Sequence, residues 1–123
     1  MSDSPDPDAI IDKGVTSDEL CKRFNERGDW ERAKAGTLIT VVIDSHPAPP
    51  EAHQPPGTRS EMLSFRTKEN VEMSRAHRYL RPDGSIGGSG RPDPKKFFDP
   101  EKRVILRQKT KREIEAESKN RPT

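Results

Sequence analysis

The sequence predicts a small α+β domain: one or two short N-terminal helices set on an antiparallel sheet of about four strands, with disordered termini. Three observations carry that prediction. A capping-box pattern opens at Thr16, a β-branched run occupies residues 37–43, and several short apolar segments joined by turn-forming residues fill positions 61–107. The size fits one modest domain, since the chain has 123 residues, 28% hydrophobic and 36% charged, with twelve Pro. Leu, Ile, Val and Phe make up 21 of the 123 residues, fewer than the roughly 20% below which high net charge produces disorder. The net charge is only +2, so a folded core with unfolded ends is expected.

Residues 1–15 are rich in Asp and Pro and have no period, and read as a disordered acidic arm. The single domain then spans 16–108. In the first helix Glu19 follows Thr16 by three positions, and Leu20 and Phe24 are spaced to share a face. Gly28 suits the left-handed residue that ends such a helix. Asp29 is placed to cap a second short helix ending at Gly36, too short and too poor in bases to act as a recognition helix. Residues 37–43, Thr-Leu-Ile-Thr-Val-Val-Ile, form the clearest strand. Being apolar on both faces, it is expected inside a sheet or under the helix.

Residues 46–57 hold five of the twelve prolines, and read as an extended polyproline-like connection or spacer. Segments 61–66 and 71–81 then read as a hairpin around Thr67-Lys68-Glu69-Asn70. A straight register would continue the face of Leu63 and Phe65 through Val71 and Met73, whereas a bulge near Arg75 or Ala76 would turn Ala76 and Leu80 inward. In both cases His77, Tyr79 and Arg81 share one face, because strand side chains alternate. Arg81-Pro82-Asp83-Gly84 is a strong turn. Beyond it comes a glycine-rich loop, then Asp93-Pro94 as the cap and first position of a short helix to Phe98. Residues 103–107 supply the last strand, and residues 109–123 read as a charged tail or solvated helix.

Charge is distributed unevenly along the chain. Residues 1–29 carry a net −4, whereas residues 75–112 carry +8. Such an excess attracts phosphate or an acidic protein surface. Arg66, Arg75, Arg78, Arg91, Lys95 and Lys96 are the candidate anion-binding residues. His77, Tyr79 and Arg81 are the candidate catalytic set, in which an imidazole moves a proton, a phenol orients one and a guanidinium holds phosphate. Those residue types serve metal-independent RNA cleavage, as in small ribonuclease toxins. They serve equally in plain binding, with Tyr79 stacked on a base.

Other chemistries lack their residues. The lone Cys21 cannot make an internal disulfide or a multi-cysteine zinc site. His46, Glu51 and His53 are separated by prolines, and no metal or other cofactor is expected. The loop from Gly84 to Arg91 has neither the Lys-Ser/Thr pair of a P-loop nor the G-x-G-x-x-G spacing, which leaves turn formation as its role. The longest apolar run, 38–43, is far short of the ~20 residues of a membrane span, and the N-terminus lacks a signal-peptide pattern. A cytoplasmic protein with no membrane partner is expected.

The block from Ala76 to Lys95, with its His-x-Tyr-Leu-x-Pro-Asp-Gly turn followed by Gly-x-Ser-Gly-x-Pro-Asp-Pro-Lys, resembles a stretch found in small uncharacterised bacterial or phage proteins. The resemblance implies a source but no activity. The functional expectation is a non-enzymatic binder using residues 66–107 against nucleic acid or an acidic protein. A ribonuclease-like toxin with His77 as general acid or base is one alternative, and a structural or protein-interaction subunit is another. Only seventeen Val, Ile, Leu, Met and Phe residues lie in 37–107, so self-association or assembly with a partner is expected to support so small a core.

Overall fold

A computed structural model describes residues 9–120. In chain order the elements are β1 (Ile11–Val15), α1 (Ser17–Arg27), α2 (Asp29–Lys34), β2 (Ile39–Pro47), β3 (Arg59–Arg66), β4 (Glu72–Leu80), β5 (Asp93–Asp99), β6 (Val104–Gln108) and α3 (Lys111–Asn120). The strands form one sheet in the order β1-β6-β5-β4-β3-β2. From β2 to β6 each strand is antiparallel to the next, while β1 runs parallel to β6. The α+β class holds, but the sheet is mixed and has six strands instead of about four.

The two additional strands come from segments given other roles by local pattern. β1 lies within the stretch read as a disordered arm, and its order comes from β6, against which Ile11 stands opposite Val104 and Val15 opposite Gln108. The first eight residues of that arm, and residues 121–123, lie outside the described residues. β5 replaces the short helix expected after Asp93-Pro94. Pro94 stands beside a register shift, opposite Ala76, where a strand tolerates a residue without an N–H. Phe97 is buried between Ser74 and Leu106, a burial worth more than the local helix-start preference.

α1 follows its sequence signals closely. The Thr16 side chain accepts from the Glu19 N–H at 3.1 Å, and Gly28 ends the helix at φ 76°. Leu20 and Phe24 enter the core with Val15, Leu38, Leu63, Phe65, Ala76, Phe97 and Leu106. α2 differs in one respect: Gly28 is its N-cap, and Asp29 is fully buried. α3 takes the solvated-helix form and opens on a capping box, Thr110 with Glu113 three positions later. The Thr110 N–H donates to Glu113 Oε1 at 3.0 Å and the Glu113 N–H to Thr110 Oγ1 at 3.2 Å. The hydrogen bond from Arg107, followed by those from Thr110, brings the Glu113 carboxyl down to about 2.

Extra residues bulge at three places: Ile43 in β2, Met73 in β4 and Lys95 in β5. The Met73 bulge decides the hairpin's parity. Leu63 and Phe65 stand opposite Ala76 and Ser74, so even positions of β4 from Ser74 onward face the helices, whereas Glu72, before the bulge, does not. Val71 is 44% exposed and is no partner of Leu63.

β2 departs furthest from expectation. It is neither interior nor covered by a helix: it is an edge strand exposed along its whole length. Its run of Ile and Val nevertheless has the composition of an interior strand. The proline-rich segment is not a spacer either. β2 continues to Pro47, a 3-10 turn forms at Pro50–Ala52, and the Ala48 N–H donates to the Thr58 carbonyl at 2.9 Å to close the loop. Gln54 then packs on the Gly84–Arg91 loop so closely that a Cβ on Gly87 would lie 2.6 Å from its Oε1.

Candidate nucleic-acid interface

Helix α1 packs on β5 and β6, and the buried apolar residues of the sheet lie on that side. Alternation puts Ser60, Met62 and Ser64 of β3 and Arg75, His77 and Tyr79 of β4 on the opposite face. Lys96 joins Arg75 there by register. A depression of about 300 Å³ on this face is lined by Met62, Arg75, Lys95, Lys96, Ile105 and Arg107 together with the carboxylate-bearing Asp12.

Each of the six expected anion-binding cations has a carboxylate neighbour. Glu72 gathers three of them, with Arg75 at 2.8 Å, Lys96 at 3.2 Å and Arg66 at 3.9 Å. Burial alone would raise the Glu72 pKa, but hydrogen bonds from Arg75, Ser64 and Lys96 outweigh it and hold the carboxyl below its ordinary range. Lys95 pairs with Asp93 at 2.9 Å. Arg78 lies on the helical side by alternation and meets Glu61 there at 2.9 Å, and Arg91 reaches Glu31 at 2.7 Å and Asn25 at 3.1 Å on the same side. The linear excess of +8 is therefore dispersed, because Glu31, Glu61 and Glu72 all come from outside that segment. What remains concentrated is the Glu72 cluster, where three cations share one carboxylate.

His77 and Tyr79 lie together, their rings 4.7 Å apart and edge-on at 84°. The Ser60 hydroxyl, buried in β3, shares a hydrogen bond of 2.7 Å with His77 Nε2. Arg81 does not join them. It lies beyond the end of β4 and donates from Nε to Gln54 Oε1 at 3.1 Å. The expected catalytic trio is thus a pair with Ser60 as an unforeseen neighbour, although strand alternation back from Met62 could have placed Ser60 on this face. A second hollow, about 190 Å³, runs from His77 and Tyr79 past Arg78 and Arg91 to the Gly87–Gly88–Ser89 backbone.

Desolvation lowers the His77 pKa, Lys95 and His46 lower it further, and Asp93 opposes them. A pKa below the ordinary value favours the neutral imidazole at pH 7, which can accept from Ser60. The folded-state pKa lies below the unfolded value of about 6.5, so this contribution to stability is complete above that pH and is lost as pH falls through the folded value. An NMR titration should give a His77 midpoint below that of free histidine. Lys95→Ala should raise the midpoint; no change, or a fall, would contradict this electrostatic account.

Two further candidates are inert here. Burial, and then the Asp93 carboxylate, push the Cys21 thiol up, which disfavours a reactive thiolate. His46 meets Asp44 at 3.3 Å on β2, whereas Glu51 and His53 lie in and after the 3-10 turn. Among the described residues no three His, Cys, Asp or Glu side chains gather where they could hold a metal, and no helix is long and apolar enough to cross a membrane. Comparison with protein-family models, curated proteins and solved structures finds no significant match to this chain.

Proposed function

We propose that the protein is a small non-enzymatic binder, acting in the cytoplasm, whose open sheet face takes up single-stranded nucleic acid. The observation that carries this reading is the one-sided placement of the helical core. It leaves Arg75, Lys96, His77 and Tyr79 on a single face with three cations around one carboxylate. The existing ion pairs do not oppose it. Lys95 and Asp93 are 39% and 58% exposed, a pair that contributes only about 0–1 kcal/mol and that a phosphate can replace at little cost, and Arg75, 41% exposed, can meet a phosphate while it keeps the more buried Glu72. Tyr79 offers an aromatic surface for a base beside that row. The binding reading is preferred over cleavage because Arg81, the phosphate-holding member of the catalytic trio, is engaged by Gln54.

Anisotropy of a fluorescent single-stranded oligonucleotide at several salt concentrations tests the proposal. Affinity should fall linearly in log–log form as salt rises, and Arg75→Ala or Lys96→Ala should each reduce the slope by about 1. Tyr79→Ala should weaken binding by about 1–3 kcal/mol without changing the slope. Absence of binding at low salt would overturn the proposal.

A further inference from the structure

The exposed edge of β2 is the strongest remaining feature. Ile39, Val41, Val42 and Ile43 are 47%, 37%, 46% and 39% exposed, and they lie consecutively enough to make both faces of one edge apolar. An edge strand carries a row of unpaired N–H and C=O groups, and folded proteins usually guard it with charge, proline or brevity. The opposite edge has such guards: β1 is five residues long and contains Asp12, Lys13 and Gly14. β2 is nine residues long, and its first charge is Asp44. Its Ile43 bulge interrupts the pairing with β3 without adding charge.

We propose that β2 pairs antiparallel with β2 of a second copy of this chain, extending the two sheets into one. Three features select a second copy. The strand is close to self-complementary: a twofold axis at Val41 sets Val41 against itself, Ile39 against the bulged Ile43, and Thr40 against Val42, so Thr40 is the one polar side chain among the residues from 39 to 43 that meet. Charge agrees as well. The same axis brings Asp44, 65% exposed, beside the start of the second copy's strand. There the Arg32 carbonyl accepts from the Thr37 and Leu38 N–H groups, and α2 presents exposed Arg32 and Lys34. Third, a nine-residue edge with its flanking side chains reaches only the lower limit of specific interfaces, about 1,000 Å². That area suits a reversible, concentration-dependent dimer. The open faces of the two copies would then form one surface.

Sedimentation equilibrium on the full chain tests this from about 10 µM to about 1 mM, a range wide enough for mass action to show. Weight-average mass should rise from 13.9 kDa towards twice that value. Val41→Lys places like charges at the axis and should weaken association at least about tenfold, and Asp44→Lys should do the same by facing Arg32 and Lys34. Both positions are exposed, so each variant should keep the wild-type circular dichroism spectrum, which is to be recorded alongside. Mixing Val41→Lys with Val41→Glu should restore the dimer, because only a twofold at residue 41 sets that position against itself. A wild type that stays at monomer mass overturns the proposal. So does a dimer untouched by Val41→Lys, or one that the charge-swapped mixture fails to restore.

Discussion

Asp29→Ala should lower the unfolding free energy by about 3–5 kcal/mol, the range for removing one partner of a buried ion pair. Asp29 is completely buried, yet it opens a six-residue surface helix. Arg27 grips it through both carboxylate oxygens, at 2.7 Å each, and the Ser74 hydroxyl donates to Oδ2 at 2.5 Å. The same guanidinium donates to the Phe98 carbonyl and to the Met73 carbonyl, the latter at 2.9 Å, and lies 3.7 Å above the Phe97 ring. One ion pair thus ties the α1–α2 junction to β4 and β5. Removing Asp29 leaves Arg27 charged among groups it cannot fully satisfy. Removing both partners together, as in Arg27→Met with Asp29→Leu, should cost clearly less than the sum of the single losses, because neither charge is then stranded. Urea denaturation of the singles and the double measures this; an Asp29→Ala loss below about 1 kcal/mol would show that the pair is not buried as described.

The second large effect is expected at Phe65. Phe65→Ala should cost about 3–5 kcal/mol, as buried aromatic deletions do, and lower Tm by roughly 10–20 °C for a domain of this size. Phe65 is fully buried in β3, with ring centroids 5.9 Å from Phe24 of α1 and 6.1 Å from Trp30 of α2. It is therefore the point at which both N-terminal helices meet the sheet. Trp30 is the sole tryptophan and reports the change directly: its emission should shift to the red in the variant, before global unfolding, as the ring loses its aromatic neighbour. A calorimetric loss below about 1.5 kcal/mol would mean that the helices do not depend on this contact.

The sequence made the locally determined parts of the fold readable. Thr16, Leu20, Phe24 and Gly28 form a cap, a face and a stop within thirteen residues, and the Arg81–Gly84 turn closes with a 2.9 Å hydrogen bond as its residues imply. Where distant partners decide, reading failed. Asp93-Pro94 carries a helix-start signal, but β4 and β6 hold that segment extended. Residues 37–43 signal a strand, and β2 is one, but it lies at an exposed edge, because an apolar run encodes a preference for cover without saying that the chain supplies it. The site was half legible. Alternation brought His77 and Tyr79 to one face, whereas the sorting of six cations onto Glu72, Asp93, Glu61 and Glu31 needed the tertiary register. Nothing near Glu72 in the chain marks it as the hub of three of them.

The parallel pairing of β1 with β6 sets an order of events during synthesis. Ile11 finds its place only against Val104, and contacts so far apart in sequence are slow to form. On a ribosome the first strand leaves the exit tunnel long before the last, so β1 must wait, unpaired, while the β2–β5 meander assembles beside it. Its Asp12, Lys13 and Gly14 suit that interval, since they discourage a waiting strand from pairing with another nascent chain. Completion of the sheet thus waits for β6, and truncation before Val104 would leave β1 without the strand that holds it.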